Sequence, residues 1–253
     1  MIDTHCHLDV AEFNQDRIQV INNAFKLGIQ GIIIPGIHAT GFQNLLNIAA
    51  NNTQLYPALG LHPLYLQQHT SKHLDYLVYL IKLYRPIAIG EIGLDYWDKN
   101  TDKTQQQYFF EAQLSIATSF KLPVLLHVRK AHDQVLRILR HFVINRGIVH
   151  AFNGSFQQAH KYIDMGFKLG FGGMLTYTGS RKLHSLAKSL PAQALVLETD
   201  APDLTVASHR GERNSPEYLP ECLNALAQIR NEQPEFTALY TTTNAYQIIL
   251  GTI

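Results

Sequence analysis

The feature that most restricts how this chain can fold is an alternation. Short apolar runs rich in β-branched residues recur between longer stretches of helical spacing, from one end to the other. Candidate strands lie near Met1 to His5, Gly31 to Pro35, Leu55 to Gly60, Ile87 to Gly90, Val124 to His127, Gly147 to His150, Phe167 to Gly170 and Leu195 to Glu198. Gly31-Ile-Ile-Ile-Pro35 and Pro123-Val-Leu-Leu-His127 are apolar without a polar/apolar alternation, the pattern of parallel strands covered on both faces. Eight such strands close a barrel, so the expected fold is α/β, a (β/α)8 TIM barrel, with a doubly wound open sheet as the runner-up.

The intervening segments carry single apolar stripes. Phe42, Leu45, Leu46 and Ala49 fall at i, i+3, i+4 and i+7, as do Val135, Ile138, Leu139 and Phe142. Leu219, Cys222, Leu223 and Leu226 repeat the spacing behind Pro216, a plausible helix start, and a further helix is expected after Pro234. No linker, low-complexity run or charge block interrupts the order, so residues 1–253 are read as one domain.

Composition excludes several roles. The formal net charge is +1 and charged residues make up 16% of the chain, so no strong overall field attracts polyanions, and any nucleic-acid contact has to be local. Every apolar run is cut by Gly, Pro or a charge before it could span a bilayer, which predicts no membrane-embedded role. The start, Met-Ile-Asp-Thr-His-Cys-His, has no basic segment followed by an apolar one. With only Cys6 and Cys222, far apart, the expected location is cytoplasmic. Nothing in the sequence points to a protein partner.

The chemistry-bearing residues cluster at the predicted strand ends. His5 and His7 flank Cys6, and strand alternation sends both imidazoles to one side, where they can chelate a cation. Glu91 follows Pro86-Ile-Ala-Ile-Gly90, His127 closes Pro123-Val-Leu-Leu, His150 closes Gly147-Ile-Val, and Asp200 follows Leu195-Val-Leu-Glu-Thr. In a parallel barrel those ends converge on one face, which brings residues from most of the chain within ligand distance. Imidazole and carboxylate donors without thiolate suit Zn²⁺, Mn²⁺, Co²⁺ or Mg²⁺ and the activation of water for hydrolysis.

The motifs also resemble a known family. Ile2-Asp-Thr-His-Cys-His-Leu-Asp9, Gly60-Leu-His-Pro63, Gly90-Glu-Ile-Gly-Leu-Asp-Tyr96, Leu125-Leu-His-Val-Arg129, Val149-His-Ala-Phe-Asn-Gly154, Gly170-Phe-Gly-Gly-Met-Leu-Thr176 and Glu198-Thr-Asp-Ala-Pro202 resemble the TatD metal-dependent deoxyribonucleases, within the amidohydrolase-like barrels. The resemblance runs end to end. It implies that His5, His7, Glu91, His127, His150 and Asp200 hold two divalent ions, with Glu91 able to bridge them, and that the substrate is DNA cut as by a 3′–5′ exonuclease. Val128, Ala151 and Asn153 depart from the usual family residues beside the ligands, which bears on substrate preference. The stretch Arg129-Lys-Ala-His-Asp133 departs too and leaves Lys130 and His132 without a role.

In that reading Asp200 orients or deprotonates the attacking water, and Glu91 organises the site. His62 contacts a phosphate oxygen, protonates a leaving group, or simply makes a loop hydrogen bond. Arg129 clamps a phosphate or pairs with Asp133. Tyr96 and Trp97 follow the Glu91 strand in a loop where stacking on an unpaired base is possible. Gly170-Phe-Gly-Gly173 either presents backbone amides to a phosphate or makes a turn needing positive φ. Glu198 shares strand parity with Asp200, and Arg213 and Asn214 are expected to order the last loop. Two other readings stand beside this one. The first is an amidohydrolase-type enzyme for an amide, ester or lactone, many of which place a carboxylated lysine where Glu91 stands. The second is a metal-binding protein without turnover.

Overall fold

In the computed structural model, which describes residues 1–249, eight parallel strands lie in sequence order with helices between them. The elements are β1 (Ile2–Asp3), α1 (Arg17–Lys26), β2 (Gly31–Pro35), α2 (Phe42–Ala50), β3 (Leu55–Leu59), α3 (Ser71–Tyr84), β4 (Ala88–Asp95), α4 (Lys103–Phe120) and β5 (Val124–Arg129). They continue with α5 (His132–Leu139), β6 (Gly147–Val149), α6 (Phe156–Asp164), β7 (Phe167–Phe171), α7 (Arg181–Ser189), β8 (Leu195–Leu197), α8 (Leu219–Arg230) and α9 (Pro234–Ile249). The single domain expected from the sequence extends to residue 253; residues 250–253 lie outside the described residues.

The sheet closes on itself. Thr4 N donates to Leu197 O (3.0 Å), Asp200 N to His5 O (2.8 Å) and His7 N to Ala201 O (2.8 Å), so backbone hydrogen bonds join the first and last strands just beyond their ends. Asp3 reinforces this seam, its carboxylate accepting from Thr199 N (3.0 Å), Thr199 Oγ1 (2.6 Å) and His5 N (3.2 Å). The barrel is therefore the (β/α)8 type rather than the open sheet.

Strand parity sorts the side chains. Ile32 and Ile34, Val124 and Leu126, and Leu195 and Leu197 pack outward against the helices, while Ile33, Leu125 and Val196 turn into the barrel. The inward set, with Ile2, Ala58, Ala88 and Ile148, forms an apolar layer that α9 covers with Ala245, Ile248 and Ile249. Asn244 on the same helix donates to Ala192 O and Leu195 O, both at 2.8 Å, which fixes this cover to the start of β8.

Two strands run further than their sequences suggest. β4 continues to Asp95 and β5 to Arg129, so Glu91 and His127 sit inside strands rather than at their ends. The reason is that β4 and β5 pair with each other past the rim, from Ile92↔Leu126 to Asp95↔Arg129. At the other end of the elements, Phe142 lies past the end of α5, and Pro216 opens a single 3-10 turn that leads into α8.

Candidate metal centre

Parity places most of the site. Two residues beyond the inward Leu125, Ile148 and Val196 come His127, His150 and Glu198, while Asp200 lies past the end of β8 on a left-handed backbone of φ +59°. Glu91 departs from this parity, three residues beyond inward Ala88, as His5 does three residues beyond inward Ile2. The β4–β5 register shifts between Ile89 and Ile92, and that irregularity turns Glu91 inward. Gly60 and Gly90 make room there: a Cβ on Gly60 would stand 2.6 Å from Gly90 C and 2.8 Å from Glu91 N.

The two oxygens of the buried Glu91 carboxylate face different imidazoles. Oε2 lies 3.2 Å from His5 Nε2 and 3.5 Å from His7 Nε2, and both nitrogens are also 3.7 Å from Asp200 Oδ1. Oε1 lies 3.0 Å from His127 Nδ1, 3.2 Å from His62 Nε2 and 3.5 Å from His150 Nε2. Donors about 2.1 Å from one tetrahedral ion stand about 3.4 Å apart, so these spacings match shared coordination shells. Three clusters of donor atoms meet the geometric requirement for a cation: His5, His7 and Asp200; His5, Glu91 and His150; His62, Glu91 and His127.

The far nitrogens distinguish the histidines. His7 Nδ1 faces Pro35 O at 3.2 Å and His127 Nε2 faces Asp95 Oδ2 at 3.0 Å; both partners only accept, so these nitrogens carry protons. The lone pairs of His7 Nε2 and His127 Nδ1 then point at Glu91, an arrangement that calls for a cation between donor and carboxylate. His150 Nδ1 lies 3.6 Å from Glu198 Oε1, beyond hydrogen-bond distance. His62 is reversed. Its Nδ1 accepts from Leu64 N at 3.1 Å, so the proton sits on Nε2 and points at Glu91 Oε1. Ligation through that nitrogen would require the tautomer that turns a proton toward the Leu64 N–H. His62 is thus a hydrogen-bond donor into the site, despite its place in one cluster.

Electrostatics reflects the crowding. Burial pushes the Glu91 carboxyl up, but His62, His5 and His150 outweigh it and hold the group well below the usual carboxylate range. Burial lowers His5 well below its ordinary value and His62 to about 4. Burial acts the same way on His150, yet Asp200, Glu91 and Glu198 together raise it to about 10. Burial lifts Asp200 to about 6. His5 Nδ1, His150 Nδ1 and Glu198 Oε2 are buried without a hydrogen-bond partner. Imidazole donors packed around buried carboxylates, with orphaned polar atoms among them, fit a divalent cation.

Several supporting residues carry no signal that sequence reasoning used. Asp95 joins His127 to the loop above through Trp97 N, which donates to Asp95 Oδ1 at 2.9 Å. Its place in Gly90-Glu-Ile-Gly-Leu-Asp95 was the available clue. Gln106 and Gln113, both fully buried on α4, act as clamps. Gln106 accepts from Asp95 N (2.8 Å) and donates to Asp95 O (3.0 Å), while Gln113 accepts from Leu61 N (2.7 Å) and donates to Leu61 O (3.1 Å). They fix the backbone beside His62 and His127.

Glu198 serves as a support as well, its Oε1 accepting from Ala151 N next to His150. Gly170 leaves room for this side chain. None of Gly170, Gly172 and Gly173 has positive φ, and a Cβ on Gly170 would collide with the Glu198 carboxylate. Arg129 stacks on Trp97, its guanidinium 4.2 Å from the ring centroid, and among the described residues no carboxylate pairs with it; Asp133 instead accepts from Gln158 Nε2 at 3.0 Å. His132 turns into the core, bonded to Tyr162 Oη and Asn153 Oδ1, both at 3.3 Å. Asn214 holds the last loop by donating to Thr199 O (2.8 Å) and Asp203 O (2.6 Å), and Arg213 ties it to Asp16. Beside the carboxylates a cavity of about 660 Å³ opens, reached by His127, His150 and Asp200.

Comparison with known proteins gives matches along the whole described chain. A family model described as TatD related DNase matches residues 2–249. The chain is 37% identical to an uncharacterized metal-dependent hydrolase, YjjV, of Escherichia coli, over 98% of this chain and 96% of that protein. It is 32% identical to the 3′-5′ ssDNA/RNA exonuclease TatD of Salmonella typhimurium, covering 97% of each. The crystal structure of the Escherichia coli YjjV protein superposes with a TM-score of 0.95 at 35% identity, covering 99% of this chain and 98% of that one. Among the described residues no helix is long and apolar enough to cross a membrane.

Proposed function

The chain belongs to the TatD-related DNase family of metal-dependent hydrolases, and from that premise we propose that it hydrolyses phosphodiesters of single-stranded DNA from the 3′ end. The observation that carries this reading is the division of Glu91 between two sets of imidazoles, one at each carboxylate oxygen. His5, His7 and Asp200 would hold one divalent cation, His127 and His150 a second, with Glu91 between them. The chemistry such cations supply when bound is charge stabilisation at phosphoryl oxygens and acidification of water.

The remaining work falls to the side chains. Asp200 has a side-chain exposure of 15% against 2% for Glu91, so it is the carboxylate that reaches the cavity and can take a proton from the attacking water. His62 Nε2–H points into the site and can donate a hydrogen bond to a phosphoryl oxygen. Asp95 and the backbone carbonyl of Pro35 keep His127 and His7 in the tautomer that leaves a lone pair inward.

The amide-hydrolase reading lacks a lysine at the β4 position, where Glu91 stands. A direct test assays metal-loaded protein and its Glu91→Ala variant against 3′- and 5′-labelled single-stranded DNA, a chromogenic phosphodiester, and a panel of amides and lactones. The expected result is stepwise loss of nucleotides from the 3′ end that depends on Glu91. Glu91-dependent cleavage of an amide with DNA left intact contradicts the proposal.

A further inference from the structure

The paired β4 and β5 strands form the tallest part of the barrel rim. Their ladder runs Gly93↔His127, Leu94↔Val128, Asp95↔Arg129, and Tyr96 N adds one more bond to Arg129 O at 2.8 Å. This extension carries a group of aromatic and cationic side chains outside the metal centre, of which Tyr96 also packs against the core. Trp97, the one tryptophan of the chain, is 59% exposed. The Arg129 guanidinium sits 4.2 Å from its ring centroid and Lys130 Nζ 5.8 Å from it, while Lys103 Nζ lies 4.9 Å from the neighbouring Tyr96 ring. An exposed indole with two cations against its ring, and a third over the neighbouring Tyr96, matches a surface for π-faces that carry negative charge.

The group is also placed along a path from the metal centre. Arg129 is two residues beyond His127, about 7 Å up the strand at roughly 3.3 Å per residue. A second cavity of about 370 Å³ lies beyond, lined by Tyr96, Lys130 and Lys182, and Lys182 and Asn153 line both this cavity and the one at the metal centre. Asp133 there accepts from Gln158 and Lys182 donates to Asn153 O, so two lysines face one carboxylate. At the 3.4 Å rise per nucleotide of one strand of a duplex, 7 Å corresponds to about two nucleotides.

We propose that Trp97, backed by Arg129, is a stacking platform for an unpaired base one or two nucleotides from the scissile phosphodiester, with Lys130 and Lys182 tracking the intervening backbone. This rests on the nuclease reading above. The platform is anchored to the chemistry through Asp95, which accepts from Trp97 N and faces His127 with its other oxygen. It recognises π-faces and phosphates rather than base edges, so it makes binding tolerant of sequence and dependent on length.

The single tryptophan makes the test direct. Emission of the Glu91→Gln variant is titrated with a dT hexanucleotide. In parallel, metal-loaded wild type, Trp97→Ala and Trp97→Phe are compared on the hexanucleotide and on a chromogenic phosphodiester too short to reach the platform. The expected result is saturable quenching of Trp97 and a drop of roughly tenfold or more, carried by KM, in the ratio of kcat/KM on hexanucleotide to that on chromophore for Trp97→Ala. Phe should restore most of it. Hexanucleotide cleavage with an unchanged ratio or unmoved emission overturns the platform and leaves the nuclease reading standing. A hexanucleotide that is neither bound nor cut overturns both.

Discussion

The two ends of the barrel interior differ in nearly every physical respect. The lower layer is Ile2, Ile33, Ala58, Ala88, Leu125, Ile148 and Val196, sealed by α9. Two residues further along β5, β6 and β8, about 7 Å up, the layer is His127, His150 and Glu198, with Glu91, His5 and Asp200 beside them. Below, stability comes from removing hydrocarbon from water and needs no partner. Above, buried imidazoles face buried carboxylates, and this arrangement is comfortable only with a cation among them. The division teaches that one end holds the barrel together and the other can be given over to chemistry.

That contrast can be broken by single substitutions. Glu91→Gln keeps the shape and removes the shared charge; activity should fall by about a thousandfold, with bound metal reduced in elemental analysis and a far-UV spectrum unchanged. Leu125→Ala, one strand step below His127, should do the reverse. It is expected to cost about 2–5 kcal/mol and lower Tm by roughly 5–15 °C, while activity per folded molecule holds.

Removing metal with a chelator should abolish turnover yet leave a cooperative unfolding transition. The loss is about 2.7 kcal/mol if the metal had stood at a hundred times its Kd. An apo protein without a transition would mean the upper layer also holds the fold. Asp95→Asn tests the support alone: it exchanges an acceptor for a possible donor opposite His127 Nε2, and metal affinity should weaken about 10- to 100-fold, read by competition with a chromogenic chelator.

The smallest effect is expected at the rim. Arg213 pairs with Asp16 through two bonds of 2.9 and 2.7 Å, and its guanidinium holds that carboxyl below the usual range. Both groups are partly exposed and screened, so Arg213→Gln should cost less than about 1 kcal/mol. A carboxyl depressed in the folded state contributes above its unfolded value and loses that contribution as pH falls through the folded one. The difference in Tm between wild type and variant should therefore be present at pH 7 and shrink below about pH 4.

How much of this was legible in the sequence follows the same division. The apolar runs of β2 and β5 announce buried parallel strands, and period-two alternation carries inward Leu125 to His127 and inward Ile148 to His150. The resemblance brought together the residues that the geometry also gathers around Glu91. Three features were hidden. The register shift that turns Glu91 inward is a property of the β4–β5 pairing and leaves no mark on local pattern. Gln106 and Gln113 look like solvent-facing helix residues, because nothing in their neighbours shows that α4 packs against the His62 and Asp95 segments. The glycines of Gly170-Phe-Gly-Gly173 suggested a phosphate-binding backbone or a turn, whereas close approach of Glu198, distant in sequence, is what excludes side chains at Gly170 and Gly172.

The central claim is that Glu91 separates two cation shells and that His62 belongs to neither. Anomalous diffraction from crystals of Mn²⁺- or Zn²⁺-loaded protein tests it most directly. The account predicts two peaks about 3.5–4 Å apart on either side of the Glu91 carboxylate, with His5 and His7 at one, His127 Nδ1 and His150 at the other, and His62 Nε2 ligating neither. A lone ion held by His62, or peaks to which Glu91 contributes no oxygen, would contradict it.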